Sequence, residues 1–193
     1  MSAAFQHIVT LLSFVLAVSI SHQLLTVVEI VRAGPRAKVS FVHALWMASG
    51  FLAVVGWWFG IWEVHAVQEW PVFSVLLNLA GVVCVFLAIA FACPRIPEGG
   101  TIDLWEFHSL HRRKYAAFAL GANLIGIGQS VYARIIQNAP GQELLLAILA
   151  LTTLAPLVAI FFSSPAFQRL AAIAIVTGMV FFIVVGAPVM RSS

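Results

Sequence analysis

The run of residues 39–62, VSFVHALWMASGFLAVVGWWFGIW, contains no Asp, Glu, Lys or Arg. A helix needs about 20 mostly apolar residues to cross a hydrocarbon core about 30 Å thick, so this run is long enough to span a membrane. Only 9% of the 193 residues are charged and 62% are hydrophobic, whereas roughly 25% of residues are charged in a soluble domain. The sequence therefore predicts an integral membrane protein.

Charged residues, prolines and glycines divide the chain into six apolar segments. They cover residues 5–31, 39–62, 71–92, 114–137, 143–163 and 166–188. The separator around Pro165 is the weakest, and a single kinked element there would reduce the number of spans to five. We predict an all-α, polytopic transmembrane helix bundle that forms one domain over residues 1–193, with about six spans and five as the alternative.

The segment TIDLWEFHSLHRRKY (101–115) before the fourth apolar run is amphipathic. We predict a short amphipathic helix at about 102–113 on the cytoplasmic surface, capped by Asp103 or Thr101 and continuing into the fourth span. The residues expected at this surface, in contact with anionic lipid head groups, are His108, His111, Arg112, Arg113 and Lys114. A binding surface for a cytoplasmic protein is the alternative interpretation.

The basic residues predict the orientation of the chain, because loops rich in Lys and Arg stay in the cytoplasm. The residues that fall on one side are Arg32, Arg36, Lys38, Arg95, Arg112, Arg113, Lys114 and Arg169. Only Arg134 and Arg191 fall on the other, so we expect both termini outside. No Lys or Arg precedes Arg32, which favours a retained first helix over a cleaved signal peptide.

The first apolar segment carries a polar stripe. The residues that fall within about 80° of one another on a helix are Ser19, His22, Thr26 and Glu29. His22 is expected about 14 Å from the cytoplasmic boundary, close to the midplane of the bilayer. We expect His43 at a depth similar to that of Glu29, and Asn123 near the depth of His22, as its first hydrogen-bonding partner.

Three functions are compatible with this stripe. An ionisable residue inside a bilayer is costly when charged and often marks a pathway. The first hypothesis is an ion or proton channel or transporter, with a pathway lined by the stripe, His43 and Asn123. The alternative is a non-catalytic accessory or scaffold subunit of a larger membrane complex, in which the stripe forms interhelical hydrogen bonds. The third is a haem- or metal-dependent membrane redox protein.

The residue spacings specify no reaction, cofactor or nucleic-acid site. No paired carboxylates, Ser/His/Asp set or Cys/His set is recognisable, so we predict no catalytic residues. We expect no haem or metal, since His22 and His43 differ in depth by about 8 Å and the His108–His111 pair is weak alone. Besides lipid, we expect a homo-oligomer or a membrane-complex partner, because a 20.9 kDa chain encloses little interior.

A serine-containing first helix is followed by VSFVHALWM (39–47) and then by DLWEFHSLHRRKYAAFAL (103–120). This order resembles a broad group of small bacterial inner-membrane proteins to which no function is assigned. The likeness covers most of the chain. It implies a bacterial inner (plasma) membrane protein with six spans, and it supplies no catalytic residues.

Overall fold

The computed structural model describes residues 3–63, 71–97, 99–136 and 142–186. They form six helices: α1 (Ala3–Ala33), α2 (Phe41–Glu63), α3 (Val72–Ala92), α4 (Leu104–Ile136), α5 (Gln142–Phe161) and α6 (Pro165–Phe181). A π-helical turn, Phe182–Gly186, extends α6. The predicted all-α class is therefore confirmed.

Four of these helices are long and apolar enough to cross a membrane. The apolar stretches are Phe5–Arg36, Phe41–Ile61, Val72–Ala92 and Pro165–Val184, and α5 contributes a shorter one, Leu146–Phe161. Their length and composition are compatible with a membrane protein. The count of six spans, the bacterial membrane and the orientation stay predictions, and Arg191 lies outside the described residues.

The amphipathic segment is the beginning of α4 rather than a separate helix. Asp103 caps α4, because its Oδ1 accepts hydrogen bonds from the backbone N–H groups of Trp105 (2.9 Å) and Glu106 (3.3 Å). The backbone hydrogen bond from Glu106, the bond from Lys38 and the one from Trp105 all lower the pKa of the Asp103 carboxyl. Of the two predicted caps, Asp103 and Thr101, the structure therefore confirms Asp103.

The ends of α1 and α4 are joined by a short parallel ladder. Strand β1 (Ala37–Lys38) pairs with β2 (Ile102–Asp103), with Lys38 opposite Asp103. The Lys38 Nζ atom lies 3.3 Å from Asp103 Oδ2. The loops after α1, α3 and α5 thus lie at one end of the bundle, which carries Lys38 and Arg169 and is called the basic end below.

Five helices form a closed ring, and α1 lies outside it. Each of α2, α3, α4, α5 and α6 packs against the next, and α6 packs against α2, whereas α1 covers the seam between α2 and α3. Glycines allow close approach within the ring. A Cβ at Gly81 of α3 would lie 2.1 Å from the indole of Trp57, and one at Gly178 of α6 would lie 2.7 Å from Thr152 of α5.

Candidate functional site

The polar stripe of α1 is split between a buried and an exposed face. Ser19 and Thr26 are buried, and their hydroxyls donate to the carbonyls of Val15 (2.8 Å) and His22 (3.1 Å). The side chains of His22 and Glu29 are exposed. They lie about 60–80° around the helix from Ser19, beyond the edge of the face that packs against α2 and α3. The four residues therefore do not line a common surface inside the bundle.

Within the bundle, His22 lies towards the basic end. Thr26 lies beside Cys93, the residue that directly follows α3. His22 is one turn, about 6 Å, further into the bundle, while the midpoint of α3 is about 16 Å from its end. His22 therefore lies nearer the basic end than the midpoint of α3 does, and its depth in a bilayer stays a prediction.

Gln23 is the polar residue of α1 that enters the bundle. Its side chain is 5% exposed, and its Nε2 donates a hydrogen bond to the backbone carbonyl of Met47 in α2. A Cβ at Gly50, one turn further along α2, would lie 3.6 Å from Gln23 Oε1. Gln23 is not among the site residues predicted from the sequence, although a carboxamide inside an apolar run is a recognisable signal for an interhelical contact.

The five-helix ring surrounds an elongated, partly open cavity of about 220 Å³, which α1 also lines through Gln23. Its walls run along α2 from Trp46 to Ile61, about 22 Å, and along α4 from Tyr115 to Tyr132, about 25 Å. The walls are mainly apolar. Amides and hydroxyls in them belong to Gln23, Ser49, Ser74, Asn78, Tyr115, Asn123, Gln129, Ser130, Tyr132 and Thr152. Among the described residues, no Asp, Glu, Lys, Arg or His lines this cavity.

Asn123 faces this cavity and contacts α5 rather than His22. Its Nδ2 lies 3.5 Å from the hydroxyl oxygen of Thr152, which itself donates to the carbonyl of Ile148 at 2.9 Å. The predicted pairing of Asn123 with His22 is therefore wrong, because α1 and α4 stand on opposite sides of α3.

Three buried polar atoms of the cavity wall have no hydrogen-bond partner in the described part of the chain. They are Gln23 Oε1, Trp46 Nε1 and Gln129 Nε2. A buried donor or acceptor left unpaired costs about 1–3 kcal/mol. Each of the three has under 1 Å² of accessible surface, so these atoms lie within the packed part of the wall and do not open into the cavity.

A hydrogen-bonded chain lies beneath the cavity, at the basic end. Gln168 of α6 donates through Nε2 to the carbonyls of Ala159 and Phe162, so its Oε1 accepts from His108 Nε2 at 3.0 Å. His108 Nδ1 is then an acceptor for the Tyr115 hydroxyl. These bonds fix His108 as the neutral Nε2–H tautomer. Burial and the nearby Arg112 lower the pKa of His108, which precedes the apolar part of α4, to about 4.

His43 lies beside this chain without joining it. The His43 ring is fully buried and packs edge-on against the Phe107 ring, with the ring centres 5.4 Å apart. Neither nitrogen of the His43 ring has a hydrogen-bond partner among the described atoms. Both nitrogens of His108 are occupied, so the two histidines do not form a ligand pair. No group of three His, Cys, Asp or Glu side chains able to hold a metal occurs in the ranges that the structure describes.

The predicted lipid-facing residues have mixed positions. His108 is interior, which corrects the surface prediction, and His111 is half-buried against Phe107. Arg112 Nε donates to the carbonyl of Ala159 (3.1 Å), and Arg113 Nε donates to that of Ile160 (3.2 Å). Both arginines thus cap the carbonyl end of α5, where a positive charge is favourable. Lys114 is exposed, and its contact with lipid stays a prediction.

Comparison with protein-family models, with curated proteins and with solved structures found no match to this chain. The candidate site is therefore defined by its own geometry. Its central element is the ring cavity, a mostly apolar space with a few uncharged polar groups, which is the usual chemistry of a site for a small molecule.

Proposed function

We propose that this protein is a membrane transporter for a small uncharged solute and that the ring cavity is its binding site. One observation carries the proposal: the cavity follows the ring helices for about 22 Å with no charged residue in its described wall. That length is a large part of a hydrocarbon core about 30 Å thick.

The chemistry of the wall favours an uncharged solute over an ion. Burying an ion is costly unless a counter-charge or several polar ligands replace its water. The cavity wall supplies amides and hydroxyls at scattered positions, and several already bond to their own helix, as Asn78 does to the carbonyl of Ser74. The ion or proton pathway predicted along α1 has less support, because His22 and Glu29 lie outside the ring.

Blocking the cavity tests the proposal. Gly60 lines the cavity, and a Cβ there would meet no atom within 4 Å, so Gly60→Phe adds a ring to open space. We expect proteoliposomes containing the wild type to reswell in glycerol faster than protein-free liposomes, and Gly60→Phe to reduce this protein-dependent rate at least about tenfold. Light scattering after rapid mixing measures the rate.

Gly128→Phe is the matched control. Gly128 also has open space around its Cβ position, but it is exposed and does not line the cavity. The Gly128→Phe substitution should therefore leave glycerol flux unchanged. Equal flux in protein-containing and protein-free liposomes, or potassium flux without glycerol flux, would contradict the proposal.

An accessory subunit is the second candidate, and the outer face of α1 favours it. His22 and Glu29 are exposed between apolar residues such as Leu25, which is 65% exposed. Ionisable side chains that face lipid are costly, and a neighbouring protein removes that cost. This function predicts a stoichiometric partner in native mass spectra after mild extraction, lost in the double variant His22→Leu, Glu29→Leu. Masses at multiples of the single chain alone would exclude it.

A further inference from the structure

We infer that the basic end of the bundle holds a binding site for the head group of an anionic phospholipid, in which Arg169 and Lys38 contact the phosphate. The site is a surface pocket of about 510 Å³ between the first residues of α2, α4 and α6. It is called the basic-end pocket below, and its wall includes Lys38, Val39, Phe41, Asp103, Trp105 and Arg169. The basic-end pocket shares no lining residue with the ring cavity.

Two cationic side chains line the basic-end pocket. Arg169 is exposed, and no described residue forms an ion pair or hydrogen bond with its guanidinium group. Lys38 is paired with Asp103, but its side chain is 82% exposed, and an exposed ion pair of this kind is weak. Because Asp103 offsets only one of the two cations, the wall keeps a net positive charge and attracts an anion.

The amino ends of three helices meet at the same pocket. Phe41, Trp105 and Pro165 line it, and each is the first or second residue of its helix. The amino end of a helix carries a partial positive charge. At α6 the preceding residue, Ser164, forms no side-chain cap, so the first backbone N–H groups of this helix stay available to a ligand. Arg169 lies about one turn further along α6, and both features therefore add to the attraction of an anion.

The surroundings of the basic-end pocket favour a lipid over a soluble phosphate. Val39 and Phe41 line the pocket and are 69% and 65% exposed. The apolar stretches of α2 and α6 both begin here, at Phe41 and Pro165. In a bilayer, the residues at which such stretches begin lie near the head groups, and basic pockets between helices bind anionic head groups at this level. The phosphate would contact Arg169 and Lys38, and the glycerol and acyl chains would contact Val39 and Phe41.

Two phospholipids with the same acyl chains test the inference. Dioleoyl phosphatidylglycerol is anionic, and dioleoyl phosphatidylcholine is zwitterionic. Native mass spectrometry of the protein in detergent micelles measures the affinity for the first bound lipid. We expect the wild type to bind phosphatidylglycerol at least about tenfold more tightly than phosphatidylcholine, since each Lys or Arg near an anionic head group contributes a factor of about five. Arg169→Gln should reduce this preference about fivefold.

The matched control is Arg95→Gln, which removes the same cationic group from an exposed position in the loop after α3, outside the pocket, and should keep the preference. Equal affinities for the two lipids in the wild type, an unchanged preference in Arg169→Gln, or equal losses in both variants would overturn the inference. Millimolar inorganic phosphate at constant ionic strength separates the two sources of phosphate. A preserved preference for phosphatidylglycerol supports a lipid site, whereas its loss assigns the pocket to soluble phosphate and overturns the lipid assignment.

Discussion

Replacing His108 with Phe is expected to lower the free energy of unfolding by about 3 kcal/mol. Phe keeps the ring volume but removes the acceptor of the Tyr115 hydroxyl and the donor to Gln168 Oε1. Both partners are at most 1% exposed, so neither gains water in exchange. A buried polar group that loses its partner costs about 1–3 kcal/mol. Titration with SDS in mixed micelles measures the effect.

His111→Phe is the control on the same helix. His111 is half-buried and forms one local hydrogen bond, from Nδ1 to the Phe107 carbonyl at 3.0 Å. Its stacking on Phe107 is available to Phe as well. We expect a loss below about 1 kcal/mol. Equal losses at the two positions would show that the hydrogen-bonded chain beneath the cavity contributes no special stability.

The difference in stability between the wild type and His108→Phe depends on pH, and the direction follows from the pKa of His108. The folded state lowers the pKa of His108 to about 4, while an unfolded His has a pKa of about 6.5. The wild type therefore loses stability as the pH falls from about 6.5 towards 4, because the unfolded chain takes up the proton first. His108→Phe lacks this group, so its deficit relative to the wild type should shrink over that interval.

Gly178→Ala is expected to destabilise the protein by about 2 kcal/mol, within the range for overpacking a close helix contact. The added Cβ would lie 2.7 Å from Cγ2 of Thr152. Thr152 has little freedom to rotate away, since its hydroxyl bonds to the carbonyls of Ile148 (2.9 Å) and Leu149 (3.2 Å). The seam between α5 and α6 must then widen. The same SDS titration measures the loss.

Gly128→Ala provides the opposite case. Its Cβ would meet no atom within 4 Å, so only the higher helix propensity of Ala acts, worth up to about 1 kcal/mol in favour of folding. The two glycine substitutions should therefore change stability in opposite directions. A neutral or stabilising effect of Gly178→Ala would mean that the α5–α6 contact is not close-packed.

The long apolar helices and the Asp103 cap were predictable from the sequence because each depends on neighbouring residues. Long uncharged runs are sufficient to identify apolar helices. A carboxylate just before an amphipathic segment is sufficient to predict a cap, since its partners are the next backbone N–H groups. The structure agrees at Asp103, Trp105 and Glu106.

Only the tertiary structure decided which polar residues face one another. In a membrane helix both the lipid side and the protein side are apolar, so hydrophobic patterning does not identify the inward face. The sequence therefore favoured His22, whereas packing on α2 and α3 turns Gln23 inwards. The same reason applies to His108, whose burial depends on Gln168, 60 residues away along the chain. The cavity arises from the closure of five helices into a ring, which no local segment encodes.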